Sequence, residues 1–234
     1  MSSRGVVVGV DVGGTFTDLF LLDSAKGTFR TAKVPSRRGD EAVGFLAGLK
    51  GFGPVANLAS IVHGTTVATN ALLERKGARV ALLTTQGHRD VLEMREGLKP
   101  ERYALRSTPP APLVPRNLRF GIRERVGPDG TVLTPLDEAS LDEAIAAIRG
   151  SGATSVAICY LHAYKNPAHE IATEERLRAA LPDVYVSRSS DVLPQIKEFE
   201  RVSTTVVNSY VGPAVRLYLT NLDQRLREAG FAGS

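Results

Sequence analysis

The chain has 234 residues, 43% of them hydrophobic and 23% charged, which excludes a disordered or fibrous protein and leaves room for one large or two modest domains. Its 29 basic and 25 acidic residues leave a net charge of +4 spread along the chain, so a nucleic-acid partner is not expected; the densest basic stretch, RNLRFGIRER from Arg116 to Arg125, reads as an exposed strand. The single cysteine, Cys159, excludes an internal disulfide, and its setting in VAICYL is that of a buried strand thiol.

The apolar run Val6 to Val8 is interrupted by Gly9 and Asp11 and is too short for a signal peptide. No apolar stretch approaches the roughly 20 residues that cross a bilayer, so a cytoplasmic protein without a membrane partner is expected.

In chain order, Val6 to Asp11, Phe16 to Leu22 and Thr28 to Val34 are short apolar or alternating runs parted by Gly13-Gly14 and by Ser24 to Gly27. They predict three strands in a β-meander that opens a mixed sheet. Helical spacing follows over Asp40 to Lys50, then a strand at Ser60 to Val62, a helix over Thr66 to Lys76, a strand at Arg79 to Thr84 and a helix over His88 to Met94. Such alternation implies parallel pairing and right-handed crossovers. Pro100, Pro109, Pro110, Pro112 and Pro115 predict an irregular linker. Beyond it, Leu118 to Val126 and Thr131 to Leu133 flank Gly127-Pro128-Asp129-Gly130 as a hairpin. A helix over Asp137 to Arg149, a strand at Ser155 to Tyr160, a helix over Ala168 to Ala180 and a strand at Val184 to Ser187 repeat the βα logic. Helices over Ile196 to Tyr210 and Val215 to Glu228, parted by Gly212-Pro213, close the chain.

The predicted organisation is therefore α/β, with a first lobe over residues 1–98, a linker over 99–116, a second smaller α/β lobe over 117–192 and a helical segment over 193–234.

The chemistry-bearing candidates follow the strands. VVVGVDVGGTFTDLFLLD, Val6 to Asp23, delivers Asp11 to a strand end. Gly13 and Gly14 let a ligand approach the backbone and open conformations closed to residues with a Cβ, and Thr15 and Thr17 offer hydroxyls. Amide hydrogens of such a turn can cradle phosphate oxygens, and Asp11 and Asp18 are the candidate ligands of Mg2+; an ordinary hairpin turn is the plainer alternative. At Ile61 to Glu74, Gly64, Thr65 and Thr66 stand where a strand gives way to a helix N-terminus, which favours an anion or a substrate carbonyl, or is simply capped by a threonine. In Thr84 to Asp90, TTQGHRD, Arg89 can bind a carboxylate or phosphate, and His88 with Asp90 can carry protons; a capping turn with surface charges competes.

Further on, Asn166 and Pro167 read as the start of a helix, His162 is open, and His169 and Glu170 point in different directions on that helix. Glu198 and Arg201 are spaced i,i+3 and read as a helix-surface pair.

The strings VGVDVGGTFTD and HGTTVATNALLERKGARVALLTTQGHRDVLEMR, with FGIRERVGPDGTVLTPLDEASL, CYLHAYKNPAHE and KEFERVSTTVVNSYVGPAV, resemble the N-terminal domain of the hydantoinase and oxoprolinase family (the N-methylhydantoinase A type) of the actin-like ATPase superfamily. The resemblance spans nearly the whole chain. It implies one half of an actin-like, ribonuclease H-like ATPase in an enzyme that opens cyclic amides with ATP and Mg2+, with Asp11, His88 and Asp90 as catalytic candidates. Asp11, Gly13, Gly14, Thr15, Thr17 and Asp18 would hold Mg-ATP. His63, Gly64, Thr65, Thr66, Asn70, Arg89, Glu198 and Arg201 would border the small-molecule cyclic amide.

No second D-x-G-G-T-like motif follows Asp23, so the resemblance implies a partner, either a C-terminal half of the same enzyme or a separate subunit, and an oligomer is expected. Mechanistically it implies that ATP phosphorylates an amide or carboxylate oxygen and so opens the carbonyl carbon to water. A small-molecule kinase of the same superfamily and a non-catalytic half of a carboxylase-type complex are the alternatives.

Overall fold

The computed structural model of the chain describes residues 5–36, 41–97, 101, 103–106, 108 and 110–233. Asp40 of the first expected helix, and Lys99, Pro100 and Pro109 of the expected linker, lie outside the described residues. The chain forms two compact units, Met1–Lys76 with Ala214–Ser234, and Gly77–Pro213.

In the first unit the meander is β1 (Val6–Val12), β2 (Phe16–Asp23) and β3 (Thr28–Pro35), paired antiparallel in sequence. After the helix α1 (Glu41–Lys50) the chain returns as β4 (Leu58–Thr65), parallel to β1, giving the order β3-β2-β1-β4. The two-residue period of a strand sorts the faces. Val8, Val10 and Val12 of β1 and Leu19 and Leu21 of β2 turn inward, against Ala42, Phe45 and Leu49 of α1 and against Tyr218, Leu222 and Leu226 far along the chain. Phe45 is fully buried, a contribution of roughly 2–3 kcal/mol for a large apolar side chain. The opposite face carries Asp11, Phe16, Asp18 and Phe20, all exposed.

The second unit is a four-stranded parallel sheet in the order β10-β9-β5-β6: β5 (Val80–Thr85), β6 (Arg119–Ile122), β9 (Ser155–Cys159) and β10 (Tyr185–Arg188). Every residue of β5 and β9 is buried, as expected of parallel strands covered on both faces. One cover is α4 (Glu138–Ser151) with α5 (Ala168–Ala180), whose Leu141, Ile145, Ile148 and Leu177 join Leu83, Val156 and Ile158 in one cluster. Asp137 starts α4 by accepting the Ser140 amide at 2.8 Å, and Gly152 ends it in the left-handed region at φ 71°.

Four expectations change. The first lobe does not run to residue 98: β5 leaves it, because β5 pairs with β9 and β6, while the chain from Ala214 returns to the first unit. The stretch around Arg116 to Arg125 is not an exposed strand, since β6 is a sheet member and Arg119 is only 2% exposed. Its guanidinium is satisfied by Val114 O at 3.0 Å and Glu93 Oε2 at 2.9 Å, which permits burial. The hairpin on Gly127 to Gly130 is correspondingly short, joining only β7 (Arg125–Val126) and β8 (Val132–Thr134).

Lastly, α7 (Glu198–Glu228) is one helix of 31 residues with Pro213 inside it. A proline removes a single ladder bond and crowds one carbonyl, which a long helix packed along its length tolerates. Gly212 serves packing there: a Cβ would sit 2.6 Å from the Tyr185 ring. Cys159 is a buried free thiol, as expected, and burial pushes its pKa up to about 12. Among the described residues no helix is long and apolar enough to cross a membrane.

Candidate functional site

The parallel neighbours β1 and β4 end side by side, and the turn that follows β1 faces the helix that follows β4. In that turn the Gly13 amide is taken by Phe16 O at 3.0 Å, and the Ser36 amide at the end of β3 ties back to Thr15 O at 2.9 Å. The amides of Gly14 and Thr15 have no acceptor among the described residues, so the turn offers two adjacent N–H groups to an anion. Neither Gly13 nor Gly14 has a positive φ, so one of the two expected reasons for the glycine pair, a conformation closed to other residues, does not hold. Space is the reason: a Cβ would lie 3.0 Å from Phe16 O at Gly13 and 3.2 Å from Asn70 Nδ2 at Gly14.

Opposite the turn, Thr66 precedes α2 (Val67–Leu73). Its amide and its hydroxyl both donate to Val12 O, at 3.1 and 3.3 Å, fastening α2 to the end of β1. Asn70 Nδ2 donates to Thr66 Oγ1 at 3.2 Å, and Thr65 Oγ1 accepts the Val67 amide at 3.3 Å. Gly13, Gly14, Thr15, Thr66 and Asn70 thus line one cleft of about 880 Å³, within the first unit. Its walls also include Lys76 and, from α7, Leu217, Asn221 and Arg225, residues that sequence reasoning missed, because nothing local in α7 announces a turn some 200 positions earlier.

Asp11 and Asp18 lie directly across from each other on β1 and β2, on the open face, where with Lys33, Val62 and Gly64 they line a second hollow of about 630 Å³. Lys33 Nζ takes both carboxylate oxygens of Asp18, at 3.0 and 3.2 Å, so Asp18 is already neutralised while Asp11 has no ion pair among the described residues. No group of three or more His, Cys, Asp or Glu side chains among the described residues could hold a metal ion. An octahedral Mg2+ needs only one or two carboxylates when phosphate oxygens and water complete its shell; Asp11, on the open face and outside the lining of the first cleft, is the one of the two carboxylates that could serve without first breaking an ion pair.

Two expected ligands face elsewhere. Thr17 is fully buried and shares a hydrogen bond of 3.0 Å with Ser36 Oγ, because the alternation of β2 turns it inward with Leu19. His63 has both ring nitrogens engaged, Nδ1 with Val10 O at 3.2 Å and Nε2 with Tyr218 OH at 2.7 Å. The carbonyl can only accept, so Nδ1 carries the proton and Nε2 accepts from the tyrosine. Desolvation lowers the His63 pKa, against an opposing pull from Asp11. His63 is a core fastening, and it offers a ligand no free nitrogen.

The remaining candidates belong to the second unit. Asp90 is held by Arg116 through two bonds of 3.0 and 3.1 Å, and that hydrogen-bonded pair lowers its pKa, a poor state for a proton carrier. His88 Nδ1 lies 3.4 Å from Gln86 O and Arg89 is exposed. Glu198 and Arg201 form no surface pair. Arg201 is 1% exposed, donates to Gln195 O and Tyr160 O at 2.9 and 3.1 Å, and lies under the Tyr164 ring. The buried Glu124, also missed, joins Thr85 Oγ1 to His169 Nδ1, and Glu170 accepts from the Tyr160 and Ser190 amides and the Ser189 hydroxyl. His162, at φ 56°, anchors to Val126 O at 2.9 Å.

Residues 7–181 match the model of the hydantoinase/oxoprolinase N-terminal region. The chain is 41% identical to the caprolactamase subunit alpha of Pseudomonas jessenii over 98% of its own length and 34% of that subunit. It is 32% identical to the acetophenone carboxylase gamma subunit of Aromatoleum aromaticum, over 97% of this chain and 34% of the relative. The crystal structure of the ATP-dependent caprolactamase from Pseudomonas jessenii superposes with a TM-score of 0.87 at 40% identity, over 96% of this chain and 34% of that one. The chain therefore spans about a third of the length of these relatives.

Proposed function

We propose that this chain, which belongs to the hydantoinase/oxoprolinase family, is the phosphate-gripping portion of an ATP-dependent enzyme that hydrolyses a cyclic amide. The observation that carries the reading is the turn Gly13 to Thr15, whose two unpartnered amides open onto a cleft shared with Thr66 and Asn70. That the caprolactamase relative is ATP-dependent and acts on a lactam supports both the nucleotide and the ring.

In this reading the amides of Gly14 and Thr15 hold terminal phosphate oxygens. Asp11 takes one position of Mg2+, directly or through water, and Lys33 keeps Asp18 out of the shell. ATP, when bound, supplies the phosphoryl group that activates the amide oxygen; the chain binds and orients by fixed dipoles set before the reaction begins. The rest of the catalytic apparatus, and the adenosine pocket, belong to the remaining two thirds of the enzyme or to a partner subunit.

The test is ring opening by the full-length enzyme, followed with and without ATP. Opening that depends on ATP, with ADP and phosphate released, is expected. An undiminished rate without ATP, or accumulation of a stable phosphorylated product as a kinase would give, overturns the reading.

A further inference from the structure

The cleft beside the phosphate turn contains a side chain whose orientation is fixed by its neighbours. Thr66 spends its hydroxyl hydrogen on Val12 O, so its oxygen can only accept, and Asn70 must turn its Nδ2 toward it. One N–H of the carboxamide is thereby committed. Among the described residues the second N–H and Oδ1 have no partner, at the point where Gly14 comes so near that a Cβ would lie 3.2 Å from Nδ2. Around this polar edge the cleft presents Val67, Ala71 and the 63% exposed Leu217 among polar neighbours that include Glu74, Lys76 and Asn221, apolar surface beside convergent polar groups as in sites that hold small ligands.

We infer that Asn70 reads the cis-amide edge of a ring, its Oδ1 accepting the ring N–H while its Nδ2 donates to the ring carbonyl. A secondary amide in a small ring is held cis, so its N–H and C=O point the same way and match the carboxamide edge in two parallel hydrogen bonds. An open-chain secondary amide is overwhelmingly trans and presents only one group at a time. Lactams, cyclic imides and cyclic ureas share this edge, and the apolar walls admit their methylenes. Asn70 is thus the residue that selects rings over chains and N–H rings over N-alkylated ones. This deepens the cyclic-amide reading above and rests on it.

The experiment is a titration of the 234-residue chain with 2-piperidone, observed through the Asn70 side-chain amide signals by NMR. N-methyl-2-piperidone, which lacks the donor, and N-methylacetamide, which is trans, serve as comparators. The expected result is a shift of the Asn70 signals by 2-piperidone and binding about tenfold or more tighter than either comparator, a site built to hydrogen-bond a group rejecting the analogue that lacks it. Asn70→Ala and Asn70→Asp lose that preference while circular dichroism shows them folded, and Thr66→Val falls between. Equal binding of the three compounds, undiminished binding by the Asn70 variants, or no response at Asn70 overturns the inference. Mg-ATP titrated into the same samples separates the two levels: retained nucleotide binding with an indifferent Asn70 removes this inference alone, and loss of both removes the phosphate reading with it.

Discussion

Gly64 stands directly across from Asp11 in the parallel pairing of β4 with β1, and a Cβ at Gly64 would lie 3.3 Å from Asp11 Oδ1. Any side chain there pushes the carboxylate away from its present place. Gly64→Ala is expected to weaken Mg-ATP binding severalfold, at a stability cost on the order of 1 kcal/mol, because only the tip of a flexible side chain has to move. Calorimetric titration and thermal melting of the same variant check both parts. A variant that binds like the wild type would show that the placement of Asp11 does not matter.

The His63 and Tyr218 pair sets a pH dependence. Burial lowers the His63 pKa in the folded chain, so below the free-histidine value of about 6.5 the unfolded state binds more protons than the folded one, and stability decreases as the pH is lowered. The contribution is complete above about pH 6.5 and is lost as pH drops from there toward the folded pKa. Tyr218→Phe removes the donor to Nε2 and is expected to cost about 1 kcal/mol at pH 8, and His63→Gln should flatten part of the acid limb. Urea unfolding at pH 8 and pH 5.5 measures each.

Arg201 supplies a contrast between structure and binding. Its guanidinium bonds to Gln195 O and Tyr160 O in a buried setting, so Arg201→Ala takes the guanidinium donor from Gln195 O, leaves Tyr160 O with only the Ala163 amide at 3.4 Å, and opens space beneath Tyr164. A loss of roughly 3 kcal/mol is expected, with Mg-ATP affinity unchanged in the fraction that remains folded. Denaturant unfolding and nucleotide titration together check it; weakened nucleotide binding at full stability would give Arg201 a ligand role instead.

Glu170 is wholly buried and accepts three donors. Glu170→Gln replaces one acceptor oxygen by an NH2 group that faces donors, and a loss of about 2 kcal/mol is expected, read from the shift of the urea midpoint. A neutral substitution would mean that the Ser189 and Ser190 contacts rearrange freely.

Much of this was legible in the chain. Strands β1 and β2 follow from valines and leucines at every second position, and α5 occupies the residues that helical spacing assigned to it. The same alternation already places Thr17 on the inner face with Leu19 and Leu21, so its burial was readable and the motif obscured it. Other features depend on partners distant in sequence. Arg119 is a core residue only because Glu93 and Val114 O meet it, and Tyr218 completes the first unit from a segment more than 150 residues beyond His63. No local pattern in α7 foretells that its second half closes the cleft beside Gly14, and Gly212-Pro213 reads as a helix break until Tyr185 is seen against Gly212.

In the proposed function the turn Gly13 to Thr15, with Asp11, grips the phosphates of Mg-ATP. The most direct measurement is calorimetric titration of the chain with Mg-ATP, beside an Asp11→Ala, Thr15→Ala variant whose fold is verified by circular dichroism. Binding to the wild type that is abolished in the folded variant is the predicted result. Equal binding by both, or no binding even after the chain is joined to the remainder of its enzyme, would contradict the account.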